Sequence, residues 1–232
     1  MGNREVVQVR ELFTDARLVA TRDLRIEARS RVLLNQVAPF ALLVLVLFGF
    51  ALDADQRTLR TFAPGLFWVA VLLAALLAVQ RSTSLEHADD AHTGLRLSGM
   101  APSSVFLGKA AAVFVQLIVL ETLLTMGIVV LYGSEVDDPL LLVLTAAAAA
   151  VAVATTGTLY GALASGLGAR ETLLPILLLP VLAPVLIGAT RSFDDALGAA
   201  AVDGWAWLGL LAVFGLVATV LGALAYGAMI ED

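Results

Sequence analysis

The chain has 232 residues, 60% of them hydrophobic and 15% charged, with a formal net charge of −6 and no cysteine. A soluble domain of this size carries more charge and shorter apolar runs, so the composition points to an integral membrane protein. Without thiols there are no disulfides, no thiolate nucleophile and no cysteine-type metal or haem attachment, and the negative balance argues against a nucleic-acid partner.

Residues 1–31 hold Arg4, Arg10, Arg17, Arg22, Arg25, Arg29 and Arg31 among five acids. Leu12, Val19, Ile26 and Leu33 recur every seven residues, with Phe13, Ala16 and Ala20 beside them. That pattern draws one apolar stripe along an otherwise charged helix. Such an amphipathic helix lies in the membrane interface with its arginines near anionic headgroups. The simpler alternative is a solvated helix that leads into the first span. The first apolar run follows all seven arginines and is too long for the core of a cleavable signal.

Six apolar runs follow: Val32–Leu52, Phe62–Val79, Val105–Tyr132, Leu140–Ala164, Leu173–Ala189 and Trp205–Ile230. Each can cross a hydrocarbon layer of roughly 30 Å. The expected fold is all-α and integral to the membrane, with an N-terminal helix 1–31 and one six-helix domain 32–232. Arginine and lysine set the orientation. Beyond the seven in the tail, Arg81, Arg96, Lys109 and Arg170 fall on the same side, against Arg57, Arg60 and Arg191 on the other. Both termini are therefore expected in the cytoplasm. Eight acids, among them Asp137, Asp138, Asp194, Asp195 and Asp203, fall in the outer loops. The stretch 190–204, with Phe193 and Leu197, is expected to form a short helix on the outer surface before the interfacial Trp205 and Trp207.

The longest polar connection, 81–102, is expected on the cytoplasmic side. A short helix around Ala88–Met100 can be capped by Asp89 or Asp90 and ended by Gly99 and Pro102. Ala91, Leu95 and Ser98 then share a face, with Arg96 beside it. His87, Asp89, Asp90 and His92 lack the wider ligand set of a metal site and read as a solvated loop. Gly108-Lys109-Ala110 is not a phosphate loop, because Ser103 and Ala110 stand where glycine and Ser or Thr are required.

Glu121 is the one acid deep in a span, with Thr125 one turn on. An ionisable group there is expensive to bury and faces the bundle interior. It either lines a polar path or proton site, or is a neutral carboxyl hydrogen-bonded between helices. Gly157, Gly161 and Ser165, spaced four apart, form a packing face; no span holds a histidine that could activate Ser165. Pro175, Pro180 and Pro184 remove backbone donors from the fifth span and imply a kinked or broken helix.

Several of these stretches resemble the permease subunit of the cytochrome c maturation ABC transporter, the haem exporter protein B family. Arg22-Asp23-Leu24-Arg25-Ile26-Glu27-Ala28-Arg29 is similar to that family's charged N-terminal helix. Ala63-Pro64-Gly65-Leu66-Phe67-Trp68-Val69-Ala70 is similar to its second span, and Gly108-Lys109 with the Glu121 span to its third. Leu173-Leu174-Pro175 through Pro180, Pro184 and Ala189-Thr190 resembles its proline-rich fifth. The matches are collinear. In the connection 81–102 the family pattern Gly-small-Leu-Glu becomes Thr93-Gly94-Leu95-Arg96, while Ala101-Pro102 fits.

The resemblance implies a type-2 ABC exporter half: six spans, two copies per complex, and a separate cytoplasmic ABC ATPase dimer that alone binds ATP. It also implies a haem-handling membrane protein as partner and a place in the plasma (inner) membrane. Segment 81–102 becomes the coupling segment, with Asp89, Asp90, Ala91, Leu95, Arg96 and Ser98 as contact residues. Haem is implied as cargo and no cofactor is implied as bound. Neither histidine stands in a span or an outer loop, so no histidine is expected along the path as an axial haem ligand. No catalytic residue is expected. Two other readings fit the composition: a generic type-2 exporter permease for lipid, drug or polysaccharide, and a stand-alone proton-coupled carrier working through Glu121. The second requires inverted repeats and more intramembrane polar groups than the sequence holds.

Overall fold

Backbone amides in hydrocarbon must find their partners within the chain, and apolar runs of this length do so as helices. The computed structural model describes residues 2–52, 55–88, 100–166 and 170–231. They form α1 (Gly2–Ser30), a π-helical stretch (Leu33–Val37), α2 (Ala38–Ala51), α3 (Gln56–Ala88), α4 (Pro102–Tyr132), α5 (Pro139–Gly166), α6 (Arg170–Ala196) and α7 (Gly204–Glu231). Six helices are long and apolar enough to span a membrane, the first of them covering Leu33–Ala51. No strand occurs among the described residues. The chain is an all-α, multi-pass membrane protein.

The helices outrun the apolar runs that announce them. α3 continues through Ala88, so 81–88 extends a span and is not the loop expected for it. α6 continues to Ala196, so 190–196 is the outer end of that helix and not a separate surface helix. Phe193 is fully buried there, with ring centroids 4.9 Å from Phe67 and 5.0 Å from Trp68 of α3. Hydropathy falls at polar side chains, whereas helical hydrogen bonding does not depend on them. α1 ends where Arg31 turns into the left-handed region at φ 50°. The Glu27 carboxylate accepts the Leu33 N–H at 2.5 Å, bridging α1 to the first span. Leu33 therefore belongs to the span and leaves the seven-residue stripe that sequence alone draws through it.

α4 is central and packs against α1, α2, α3, α5 and α7. In lipid, helices associate through close packing of small residues more than through burial of apolar area. The alanine run of α5 meets Gly215 of α7. A Cβ at Gly215 would stand 3.6 Å from the Ala152 amide nitrogen and 3.7 Å from the Ala148 carbonyl oxygen. Gly157 and Gly161 are buried further along α5, while the side chain of Ser165 lies outside the described residues. Pro175, Pro180 and Pro184 stand inside α6, which does not break at them. Pro180 and Pro184 are exposed, on the outward face that also carries Ile176 and Ile187.

Several outer acids begin helices. The carboxylates of Asp55, Asp138 and Asp203 accept the N–H groups of Thr58, Leu141 and Ala206 at 3.0, 3.0 and 3.1 Å. These are N-caps for α3, α5 and α7, where a negative charge also suits the helix dipole. The Thr58 hydroxyl and amide, helped by Arg57, hold the Asp55 carboxyl below its ordinary pKa. That contribution is present at neutral pH and is lost as pH falls through the lowered value. Asp195 accepts the Gly204 amide at 2.9 Å, and the Ala196 carbonyl accepts the amides of Asp137 and Asp138, which ties three outer segments together.

Truncating the ring that joins α3 to α6 should loosen this outer end. Phe193→Ala is expected to lower unfolding free energy in detergent by about 3–5 kcal/mol, as for buried aromatic truncations elsewhere. A chemical denaturation midpoint equal to that of the parent chain would contradict this packing account.

Candidate functional site

The candidate site is built on α4. Leu117, Leu120, Leu124 and Ile128 recur at helical spacing and are buried at 0–1% exposure, which turns one face of the helix into the bundle core. Glu121 stands on the same side, 2% exposed. Neither of its carboxylate oxygens has a hydrogen-bond partner among the described residues. The Thr125 hydroxyl donates to the Glu121 backbone carbonyl at 2.7 Å, and Thr122 donates to the Ile118 carbonyl at 2.7 Å. Both threonines thus satisfy their own helix and leave the carboxyl alone. The interhelical hydrogen bond that would make Glu121 a packing feature is not made within the described chain.

A buried group left unpaired is destabilising by roughly 1–3 kcal/mol, more if charged. No hydrogen-bond partner among the described residues repays that. Among those residues Asp194 is also a buried acid, but it lies near the end of α6; Glu121 is the one buried in the middle of a membrane span. Chemically it offers a proton, a hydrogen bond or a charge to whatever enters between the helices.

Close contacts hold α4 on its other sides. A Cβ at Gly127 would come within 3.0 Å of Leu42 and 3.4 Å of Leu45 on α2, and the Tyr132 hydroxyl donates to the Leu45 carbonyl at 2.6 Å. Near the other end the Phe106 ring fills the space where Gly222 of α7 lacks a side chain. Gly108 lies against α1, where a Cβ would be 2.6 Å from both the Ala16 carbonyl oxygen and the Val19 Cβ. The glycine dismissed as part of a phosphate loop is therefore a helix-crossing point. Its sequence signal was a small residue at the end of a span, followed by Lys109 but without the first glycine or the Ser or Thr of a phosphate loop. Lys109 beside it is 5% exposed.

The six coupling residues expected from sequence, Asp89, Asp90, Ala91, Leu95, Arg96 and Ser98, all lie outside the described residues. Their flanks do not: α3 enters that segment at Ala88, and Pro102 starts α4 as it leaves. Both helices belong to the core, so the segment joins two of the most enclosed elements of the molecule. No group of three or more His, Asp or Glu side chains able to hold a metal ion occurs among the described residues.

A family model described as CcmB protein matches residues 15–232. The chain belongs to the CcmB family. Heme exporter protein B of Haemophilus influenzae is 29% identical over 211 residues, covering 91% of this chain and 90% of that relative. Heme exporter protein B of Pseudomonas aeruginosa is 27% identical, covering 87% and 91%. That of Escherichia coli K12 is 31% identical, covering 72% and 76%. The match runs from within α1 through every span, so the whole architecture described above is that of a CcmB family protein. Glu121 lies inside the matched region, as do Gly108 and the three prolines of α6.

The unpaired carboxyl makes a specific prediction about stability. Glu121→Leu is expected to raise unfolding free energy in detergent by about 1–3 kcal/mol, because it removes a buried group with no partner. A destabilised Leu variant would reveal an intramolecular partner and contradict the geometry.

Proposed function

We propose that this chain is the membrane permease subunit of an ABC transporter for cytochrome c maturation. It serves the export of haem or its delivery to a chaperone, and a separate cytoplasmic ATPase dimer drives it. The observation that carries this reading is the collinear CcmB match over 15–232 on a six-span bundle, with relatives that bear the name Heme exporter protein B. The protein is then a transporter component and not itself an enzyme. Two copies, a haem-handling membrane protein and the inner membrane complete the expected assembly, with both termini cytoplasmic.

The geometry suggests how work enters. ATP hydrolysis in another protein acts on this chain only through contact, and residues 89–99 connect α3 to α4 in sequence. Displacing it moves both helices at their cytoplasmic ends. α3 carries the Phe67 and Trp68 rings packed on Phe193, and α4 carries Glu121. A movement that parts α4 from its neighbours exposes the carboxyl to the space that opens. Glu121→Gln should therefore insert and fold as the parent chain does yet lower the yield of c-type cytochromes.

Two experiments test this reading. The chain has no native cysteine, so single replacements report sidedness cleanly. Ser84→Cys is expected to react with a membrane-impermeant maleimide only from the cytoplasmic face, and Glu135→Cys only from outside; the reverse pattern would overturn the orientation. Leu95→Asp should leave the spans inserted while weakening capture of the ATPase by about 2–4 kcal/mol, the scale of a central interface anchor. Capture at parent strength together with normal cytochrome c maturation would remove Leu95 from the contact.

A further inference from the structure

α1 is a charged helix whose main packing surface lies on α4, and that surface sits at an informative position. Ala16 and Val19 are buried on α4 at Gly108. Gly108, Val115, Val119, Thr122 and Met126 share one face of α4, since they lie seven, four, three and four residues apart. Above Gly108 that face is bare: Val115, Val119 and Met126 are 41%, 39% and 62% exposed. α1 thus covers the foot of a stripe that elsewhere looks outward from the bundle into hydrocarbon. A lipid whose acyl chains lie along that stripe has its headgroup at the level of α1.

The exposed side of α1 suits that headgroup. Phe13 is 65% exposed, one turn before Ala16 and next to the seam on α4. Ala20 and the half-buried Leu24 continue the apolar shoulder. Arg10 and Arg17 stand seven residues apart on the outer border of this shoulder, three and four residues from Phe13, and both are exposed. Glu11 and Asp15, one and two residues away from Arg10 and Phe13, point to other faces. An aromatic ring between two guanidinium groups at the edge of a lipid-facing surface matches the acyl–phosphate boundary, with arginine suited to paired hydrogen bonds from phosphate oxygens.

We propose that Arg10, Phe13 and Arg17 form a binding site for an anionic phospholipid at the foot of the outward stripe of α4. The site is independent of the cargo and of the ATPase. It ties α1 to the bilayer on one side while Gly108 ties it to the bundle on the other.

The test uses the full chain in nanodiscs of equal parts phosphatidylcholine and phosphatidylglycerol. A spin label on Phe13→Cys is expected to collide more with oxygen, which partitions into lipid, than with a water-soluble nickel chelate. Preference for the chelate would mean that the face is solvated. Low collision with both would mean that protein, such as a partner subunit, covers it. Either result overturns the proposal. Retention of phosphatidylglycerol over phosphatidylcholine, read by native mass spectrometry, should fall about fivefold for each arginine in Arg10→Gln and Arg17→Gln. Arg29→Gln, on another face of α1, should leave that preference unchanged. Equal loss in all three variants would signify diffuse charge without a site, and no loss in any would remove phosphatidylglycerol as the ligand.

Discussion

The structure depends on how closely α4 can be approached. Five helices pack on it, and in a bilayer there is little solvent-driven force to press them together, so van der Waals fit decides the outcome. The fit is made at points where a side chain is missing or small: Gly108 against α1, Gly127 against α2, and Gly222 of α7 under the Phe106 ring. Enlarging any of these would push a neighbour away from the helix that carries Glu121. The placement of one unpaired carboxyl in the middle of the bundle thus follows from two glycines of its own helix, Gly108 and Gly127, and from Gly222 of α7.

That carboxyl is the point where local stability and the proposed function part. Backbone and hydroxyl groups nearby are satisfied within their own helices, as Thr125 and Thr122 show. Tyr132 reaches across to α2, and Thr145 meets Ser192 at 2.6 Å. Glu121 stays bare, as do the buried Trp68 Nε1, Ser104 Oγ and Thr156 Oγ1, and it is the carboxyl among the unpartnered buried groups of the described residues; a leucine in its place removes that unmet hydrogen bond. Its helix also leads directly from segment 89–99. In the proposed coupling, α4 connects a displacement of that segment to a change around the carboxyl; the helix ends at Gly133, beside outer loops joined through Ala196.

Much of this was legible in the sequence, and the limits have physical causes. The six spans and the amphipathic α1 follow from hydropathy and period, and the burial of Glu121 follows from its position in a span. The true ends of α3 and α6 were hidden because polar residues stop an apolar run without stopping a helix. The outer aspartates counted as loop charge, though Asp138 before Pro139 and Asp203 before Gly204 are cap positions that the span starts could have revealed. Gly108 stood in the sequence as a failed phosphate loop and as part of the family resemblance, not as a crossing point, because its partners Ala16 and Val19 are distant in sequence and no local pattern records them. Phe193 was assigned to the surface for the same reason: its companions Phe67 and Trp68 are distant in sequence.

The CcmB match over 15–232 and the six-span bundle support the permease proposed above, in which a separate ATPase drives the chain. The most direct test is removal of the chain from its own cell. With the gene deleted, haem staining of membrane proteins should lose the covalent c-type bands while non-covalent b-type haem remains spectroscopically normal, and re-expression of the chain should restore them. Undiminished c-type cytochromes in the deletion strain would contradict the account.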